Sequence, residues 1–242
     1  SPPAGGGGAT VILPSPISTL KPDSFDYLTA EDIRPSPNPT QELHRAMSSL
    51  PRDDWPEIFH TLNSVRRLAA HHTALLSSQP HLHALVRDVL GQSENLRSQV
   101  AKNALLTLAD LWRGLGETLD PELPMVCLVL VKKLADKVEF LADAARECVD
   151  EVVATATDSR VLSAFLACGS HRSPAVRAKS ALAILLCVRQ RSTTATPVTT
   201  RGTRRGDGGR EGGGGTRRGG KGNIGAREMD RLLSSLRRFL QA

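Results

Sequence analysis

The side chains that could carry out chemistry are scattered along this chain rather than grouped in a catalytic pattern. Four histidines lie close together in sequence: His71, His72, His81 and His83. Imidazole nitrogens bind Zn²⁺, but zinc sites usually combine them with cysteine or carboxylate ligands, and none adjoins these histidines. We therefore expect solvated or capping histidines, with no metal site and no cofactor.

The cysteines give no sign of metal or redox chemistry either. They are Cys127, Cys148, Cys168 and Cys187. Each lies in an apolar segment and none forms a C-x-x-C pair, which is typical of reduced core cysteines in a cytosolic protein. The adjacent acids Asp53 and Asp54 are expected to cap a helix that starts at Pro56. Because the chain also lacks a P-loop and a G-x-S-x-G turn, we do not expect an enzyme.

Composition divides the chain into a Pro/Gly-rich leader (1–37), a Leu/Ala/Val-rich body (38–191) and a Gly/Arg-rich end (192–242). The body is almost neutral, with 18 basic and 17 acidic residues, whereas the end has 11 basic and 4 acidic residues. With only 3% aromatic residues in the chain, the body must build its core from Leu, Val and Ala. Such a core favours closely packed helices over strands.

No segment is expected to enter a membrane. The first residues lack the charged and long apolar regions of a signal peptide. The longest apolar run, MVCLVLV at 125–131, is too short to span a bilayer. We therefore expect a protein of the cytoplasm.

Apolar residues in the body recur at helical spacing and predict eight helices, separated by proline, glycine or capping residues. The predicted helices cover residues 39–50, 54–72, 80–91, 97–115, 121–136, 140–156, 158–169 and 174–190. No window shows the alternation of a strand between hairpin turns. The predicted fold class is therefore all-α.

The second helix of each pair repeats one pattern, an apolar or small residue followed four positions later by a small one. The repeats are Val100/Ala104, Ala144/Cys148 and Val176/Ser180, with Ile58/Leu62 at the same spacing and a larger second residue. The first positions are 42, 44 and 32 residues apart, near the roughly 40–47-residue period of two-helix HEAT or armadillo repeats. We predict a HEAT-like α-solenoid of about four helix pairs over residues 38–191.

In such a solenoid, the turns inside the helix pairs line up along one edge. These turns are residues 51–56, 92–98, 136–143 and 169–174. Trp55 lies on the first, and basic residues follow on the others, as expected of a binding face with one aromatic anchor and a charged rim. The alternative for Trp55 is packing over the start of its own repeat. Trp112, within a leucine-rich segment, is expected in the core or on a partly exposed part of its helix.

Four stretches of the body carry a family resemblance. They are DDWPEIFHTLNSVRRLAAHH (53–72), LRSQVAKNALLTLADLWRGLG (96–116), LADKVEFLADAARECVDEVV (134–153) and HRSPAVRAKSALAILL (171–186). In this order they resemble the TOG domain, the tubulin-binding HEAT domain of microtubule polymerases and CLASP-type stabilisers. The body is most similar to the ciliary subgroup, the TOG array regulators of axonemal microtubules. The resemblance implies a monomeric domain that binds tubulin or microtubules in the cytoskeleton, in particular that of cilia.

Carried over by position, the resemblance implies an edge on which Trp55 packs against tubulin. The other implied members of the edge are Arg97, Ser98, Lys102, Lys137, Phe140, His171, Arg172 and Arg177. Because the tubulin surface is acidic, the basic members would steer association and fix orientation. Two residues depart from the family pattern: Glu139 takes a place in the third turn where a basic or amide residue is preferred, and Pro174 stiffens the fourth turn.

The flanks differ from the family pattern. The family domain usually has six helix pairs, whereas the pattern here stops near Arg191. Residues 192–228 are dominated by glycine and threonine and predict a disordered linker, and the leader 1–37 is also expected to be flexible. Residues 229–242 predict a short amphipathic helix that resembles half of a further repeat. The sequence leaves open whether the chain is a truncated or spliced form.

Two other functions are open as alternatives. The first is a generic HEAT-repeat scaffold that binds another protein through the same edge. The second is a polyanion or RNA binder that acts through the Gly/Arg-rich residues 201–222, whose charge would attract nucleic acid in a salt-dependent way. No aromatic residue lies between Arg191 and Phe239 to stack on bases, so nucleic acid is the less favoured partner.

Overall fold

Residues 25–194, the part of the chain that the computed structural model describes, form an all-α fold. The α-helices of this part are α1 (Pro39–Ser49), α2 (Trp55–His71), α3 (Thr73–Ser77), α4 (Leu82–Gln92), α5 (Ser98–Leu115), α6 (Leu123–Leu134), α7 (Glu139–Thr155), α8 (Asp158–Cys168) and α9 (Pro174–Thr194). A 3₁₀ helix, Gly116–Glu122, joins α5 to α6. The predicted fold class is confirmed.

The eight longer helices form four pairs: α1/α2, α4/α5, α6/α7 and α8/α9. The second helices form one layer, in which α5 packs extensively against both α2 and α7, and α7 contacts α9. In the other layer α1 contacts α4, and α6 contacts α8. This is the HEAT-like arrangement predicted from the repeat period.

Proline in the first turn marks the start of several helices. Pro39, Pro56, Pro124 and Pro174 all occupy such positions. They are tolerated because first-turn N–H groups have no partner within the helix. Asp54 lies at the N-cap position of α2, but its side chain makes no capping hydrogen bond, so the predicted capping role is wrong for this residue.

Two short elements were not predicted from the sequence, α3 and the 3₁₀ helix that follows α5. A five-residue helix such as α3 is too short to show the 3.6-residue period on which the prediction depends. The 3₁₀ helix starts at Gly116, whose φ of +49° favours glycine, and it contains Pro121. Both elements reverse the chain between one helix pair and the next.

The core consists mainly of Leu, Val and Ala side chains, as the composition predicted, and Trp112 is fully buried within it. All four cysteines are buried and remain as thiols. Burial raises the pKa of Cys127 and Cys148, which keeps both thiols protonated and unreactive. The cysteines therefore serve as core residues, as expected.

The leader 1–37 was expected to be flexible, but its second part, residues 25–37, packs along α2. Leu28 and Ser36 are buried, and the carbonyl oxygen of Ile33 lies 2.7 Å from Nε2 of His71. Composition alone did not predict this packing, because the leader is rich in proline and glycine and only a few of its side chains make the contacts.

At the other flank, α9 continues to Thr194, so the first residues of the predicted linker 192–228 are helical. The rest of that linker and the predicted helix 229–242 lie outside the described residues. Among the helices of residues 25–194, none combines the length and the apolar character needed to cross a bilayer.

The face of α5 that contacts α2 carries polar side chains at helical spacing. The Asn103 amide donates to the carbonyl of Phe59 at 3.1 Å and to the side-chain oxygen of Asn63 at 2.9 Å. Two turns later, Arg66 of α2 donates through Nε to Oδ2 of Asp110 at 2.6 Å, and both side chains are buried. These contacts fix the register of α2 against α5, because a shift would leave buried polar groups without partners.

The last turn of α5 brings the two backbones together. A Cβ atom added to Gly114 would lie 2.3 Å from the carbonyl oxygen of Ala69 in α2. No side chain larger than hydrogen fits at this distance, so the close approach of α2 and α5 depends on this glycine.

A charged network extends the contact to α7. Arg113 of α5 bonds to Asp110 and also donates to Oε1 of Glu151 at 2.8 Å. The chain Arg66–Asp110–Arg113–Glu151 therefore connects α2, α5 and α7, the first three helices of one layer.

Replacing Gly114 with alanine should lower the free energy of unfolding by about 1–3 kcal/mol, because the new methyl group overlaps the Ala69 carbonyl. Gly91 is the matched control, since an added Cβ there meets nothing within 4 Å. Gly91→Ala should raise stability by about 0.5–1 kcal/mol through helix propensity. Urea unfolding followed by circular dichroism measures both, and equal effects would contradict the proposed close contact.

Asp110→Ala should lower the free energy of unfolding by about 3–5 kcal/mol, because it leaves Arg66 buried without its partner. Arg45→Ala is the control, since this exposed side chain pairs with Glu57 at 3.5 Å and should contribute less than about 1 kcal/mol. Chemical denaturation of both variants tests the difference. A loss for Asp110→Ala no greater than for Arg45→Ala would show that the buried pair is not a major contributor.

Candidate functional site

The turns inside the four helix pairs form the candidate site, which we call the edge. Turns 1 to 4 comprise residues 50–54, 93–97, 135–138 and 169–173, and the edge also includes the first turn of the helix that follows each. The Gln92 amide donates to the Leu50 carbonyl at 2.8 Å, which joins the ends of α4 and α1. Turns 1 and 2 are thus held side by side.

Trp55 is the first residue of α2 and is partly buried. The Arg97 guanidinium carbon lies 5.5 Å from the centre of its ring, within the range of a cation–π contact. The ring of Phe25 lies 4.7 Å from the Trp55 ring, centre to centre. Trp55 therefore contacts the segment before α1 through Phe25 and turn 2 through Arg97.

Lys102 lies in the first turns of α5, between turns 2 and 3. Its Nζ atom is 4.6 Å from the centre of the Tyr27 ring and 5.8 Å from that of Phe140. Burial raises the pKa of Tyr27, so the hydroxyl stays protonated at neutral pH and can donate to the Gln99 carbonyl, 3.5 Å away. The structure thus brings Lys102 and Phe140 together, as members of one edge should be.

Turns 2, 3 and 4 are built in the same way. In each, a polar side chain accepts the backbone N–H two residues later, just before the next helix begins. The hydrogen bonds run from Arg97 N to Asn95 Oδ1 (2.9 Å), from Val138 N to Asp136 Oδ1 (3.0 Å) and from Ser173 N to His171 Nδ1 (3.1 Å). The residues between donor and acceptor are Leu96, Lys137 and Arg172. They occupy equivalent places and all are exposed.

This equivalence identifies a residue that the sequence analysis missed. Leu96, rather than Arg97, takes the place in turn 2 that Lys137 and Arg172 take in turns 3 and 4, and it is fully exposed. Val138 in turn 3 is a second exposed apolar residue. An apolar side chain inside a predicted turn was the signal available in the sequence.

The fourth turn is held by a basic side chain. Arg177 of α9 donates through Nη1 to the carbonyls of His171 at 3.2 Å and Arg172 at 3.3 Å. Arg177 is therefore a support of turn 4, whereas Arg172 is exposed. Ser98, the remaining predicted member, is the exposed first residue of α5.

The edge carries charges of both signs. Its basic residues are the predicted Arg97, Lys102, Lys137, Arg172 and Arg177, together with the exposed Arg52 of turn 1. Its acidic residues are Asp53, Asp54, Glu57, Glu94, Asp136 and Glu139. Because the basic side chains are distributed over all four turns, a partner that spans the edge would meet a positive charge in each.

The four histidines considered as metal ligands have separate surroundings. His71 contacts the Ile33 carbonyl, whereas Nδ1 of His83 lies 3.0 Å from the Glu122 carboxylate. In the described part of the chain, no three His, Cys, Asp or Glu side chains are grouped closely enough to hold a metal ion.

Comparison with known proteins identifies the family. Residues 51–202 match the family described as CLASP N terminal. The chain belongs to this family. The resemblance to a TOG-type domain is confirmed, and the family supports a binding domain rather than an enzyme.

The similar proteins are much longer than this chain. TOG array regulator of axonemal microtubules protein 1 of Mus musculus is 31% identical over 160 residues, which cover 66% of this chain and 9% of that protein. Its Homo sapiens counterpart is 29% identical over 151 residues, covering 62% and 8%. Crescerin-like protein che-12 of Caenorhabditis elegans is 24% identical over 129 residues, covering 53% and 10%. The chain therefore spans about a tenth of the relatives that it matches.

Arg177→Ala should loosen turn 4, because it removes two hydrogen bonds to the turn backbone. The amides of residues 170–173 should exchange with deuterium several-fold faster, as expected when a local opening becomes less costly. Arg172→Ala is the matched control and should leave these exchange rates unchanged, since its side chain is exposed. Equal exchange in both variants would contradict the support assigned to Arg177.

Proposed function

We propose that the edge binds tubulin and that the protein regulates microtubules, in particular those of ciliary axonemes. The observation that carries this proposal is the contact of Trp55 with Arg97 across turns 1 and 2, 5.5 Å from guanidinium carbon to ring centre. The names of the mouse and human relatives, regulators of axonemal microtubules, support the choice of partner and of cellular location.

Recognition would combine an apolar anchor with a charged rim. Trp55 and Leu96 supply apolar surface on turns 1 and 2, and Val138 and Phe140 supply it at the third turn. Lys137 and Arg172 stand exposed at equivalent places and would meet acidic side chains of the partner. Charges at such a rim mainly increase the association rate and fix orientation, while the aromatic anchor contributes most of the affinity.

Two alternatives involve other partners. A generic scaffold would use the same edge for a different acidic protein, and a failure to bind tubulin would favour it. A polyanion binder would act through residues 201–222, which lie outside the described residues. Deleting residues 192–228 would abolish RNA binding in that case and leave the edge intact.

Tubulin binding should depend on the two residues that join turns 1 and 2. We expect Trp55→Ala to weaken binding by about 30-fold, as for an anchor residue worth about 2 kcal/mol, and Arg97→Glu by about tenfold. Size-exclusion co-elution with tubulin and microtubule co-sedimentation measure both, and binding should weaken as salt screens the charges. Circular dichroism establishes that each variant is folded.

Arg189→Glu is the charge-matched control. This exposed residue lies 15 positions after the start of α9, about 22 Å along the helix from the edge. It should leave binding nearly unchanged. The proposal fails if the wild-type chain does not associate with tubulin, or if Arg97→Glu weakens binding no more than Arg189→Glu.

A further inference from the structure

Residues 25–28, which we call the strap, lie on the first half of the edge. The Phe25 ring contacts three residues of α2: Trp55, Phe59 and His60, with ring centres 4.7, 5.6 and 5.4 Å away. All three lie within the first two turns of the helix. The strap therefore covers part of the surface on which the proposed anchor residue stands.

The other side of the strap reaches α5. The Tyr27 ring lies 5.6 Å from that of Phe59 and 4.6 Å from Nζ of Lys102, and its hydroxyl donates to the Gln99 carbonyl. Leu28 is buried and anchors the end of the strap. The strap thus lies in a groove between the starts of α2 and α5, and it contacts two predicted edge residues, Trp55 and Lys102.

The strap carries the kinds of side chain, aromatic and acidic, that an acidic protein partner would present to the edge. Its sequence is Phe-Asp-Tyr-Leu, and Asp26 is exposed between the two rings. The groove presents an aromatic ring, an apolar floor at Phe59 and a cation at Lys102, which match aromatic and acidic side chains.

The strap is also held in a way that permits release. Among residues 25–194, no backbone hydrogen bond joins residues 25–28 to a helix, so side-chain packing and the single bond of Tyr27 hold it. Segments with few backbone hydrogen bonds and a small buried area open at low free-energy cost.

We propose that the groove between α2 and α5 is a site for aromatic and acidic side chains, and that the strap occupies it in competition with the acidic partner. This proposal rests on the proposed function, because it names a regulator of the same edge. While the strap is docked, Trp55 and Lys102 are engaged within the chain. The affinity for the partner is then reduced by the fraction of molecules in which the strap is released.

Replacing both strap rings tests the proposal in two independent measurements. The Phe25→Ala/Tyr27→Ala variant of the full chain should show stronger acrylamide quenching of Trp55 fluorescence, without tubulin present. Trp112 is fully buried and adds little to the change. The same variant should bind tubulin about 5- to 10-fold more tightly than wild type, because less of the edge is occupied. Ile33→Ala is the control. It truncates an apolar side chain between the strap and α1, away from the edge, and should change neither the quenching nor the affinity for tubulin.

An exposed pair of variants avoids any effect of ring removal on folding. Asp26→Lys and Glu31→Lys change the net charge equally, and both residues are exposed, but only Asp26 lies between the strap rings. Asp26→Lys should bind tubulin more tightly than Glu31→Lys, because it places a positive charge next to Tyr27, whose ring contacts Lys102, and weakens docking of the strap. Equal affinities would overturn the proposed competition.

A peptide tests whether the groove binds the strap sequence, whatever the partner of the edge is. KPDSFDYLTAED, residues 21–32, added to the double alanine variant, should restore protection of Trp55 from acrylamide and weaken tubulin binding. The same peptide with both rings replaced by alanine should do neither.

The outcomes distinguish this proposal from the proposed function. Loss of tubulin affinity in the double variant, unchanged quenching, or a peptide that fails to protect Trp55 would each overturn the proposed competition. If no form of the chain binds tubulin but the peptide protects Trp55, the tubulin assignment fails and the groove for aromatic and acidic side chains stands.

Discussion

The packing of α2 against α5 is the constraint on which the rest of the structure depends. Gly114 lets the two backbones meet at one end of this contact, and the buried Arg66–Asp110 pair, with N and O atoms 2.6 Å apart, fixes its register in the middle. A slip of either helix would leave a buried charge without its partner, which costs far more than a surface ion pair contributes. At the other end of the same contact, Trp55 begins α2 and Ser98 begins α5. The interior of the solenoid therefore places Trp55 beside Arg97.

The regular spacing of exposed residues along the edge results from this packing and from the hydrogen bonds within each turn. Because turns 2, 3 and 4 each use a side chain to accept the N–H two residues later, the residue in the middle of each turn is exposed in the same way. A row of equivalent, outward-facing residues can contact an extended partner surface, whereas a pocket would accept only a small part of one. The strap adds a second layer over the first part of this row, and it links the availability of the edge to a short segment before α1.

The degree to which the edge could be predicted differs from residue to residue. Trp55, Lys102 and Phe140 were selected by position, and the structure brings each into contact with another part of the edge. Arg97, Lys137 and Arg172 were placed on turns 2, 3 and 4. The structure shows that Leu96 takes the middle place of turn 2, because a residue's position in the sequence cannot show which turn residue is hydrogen-bonded. Arg177 was expected on the binding surface, and the structure adds that its guanidinium donates to two carbonyls of turn 4.

The sequence by itself determined the eight longer helices, their pairing and the composition of the core, because these follow from apolar periodicity and from proline and glycine at helix ends, which are local properties. It also indicated the family, through four stretches in order. The tertiary structure decided which polar residues of α5 face α2, which turn residues are equivalent, and that residues 25–37 pack along α2. These features depend on contacts between residues far apart in the chain, such as Phe25 with Trp55 or Arg66 with Asp110. No local pattern specifies such contacts, since each requires the position of both helices to be known first.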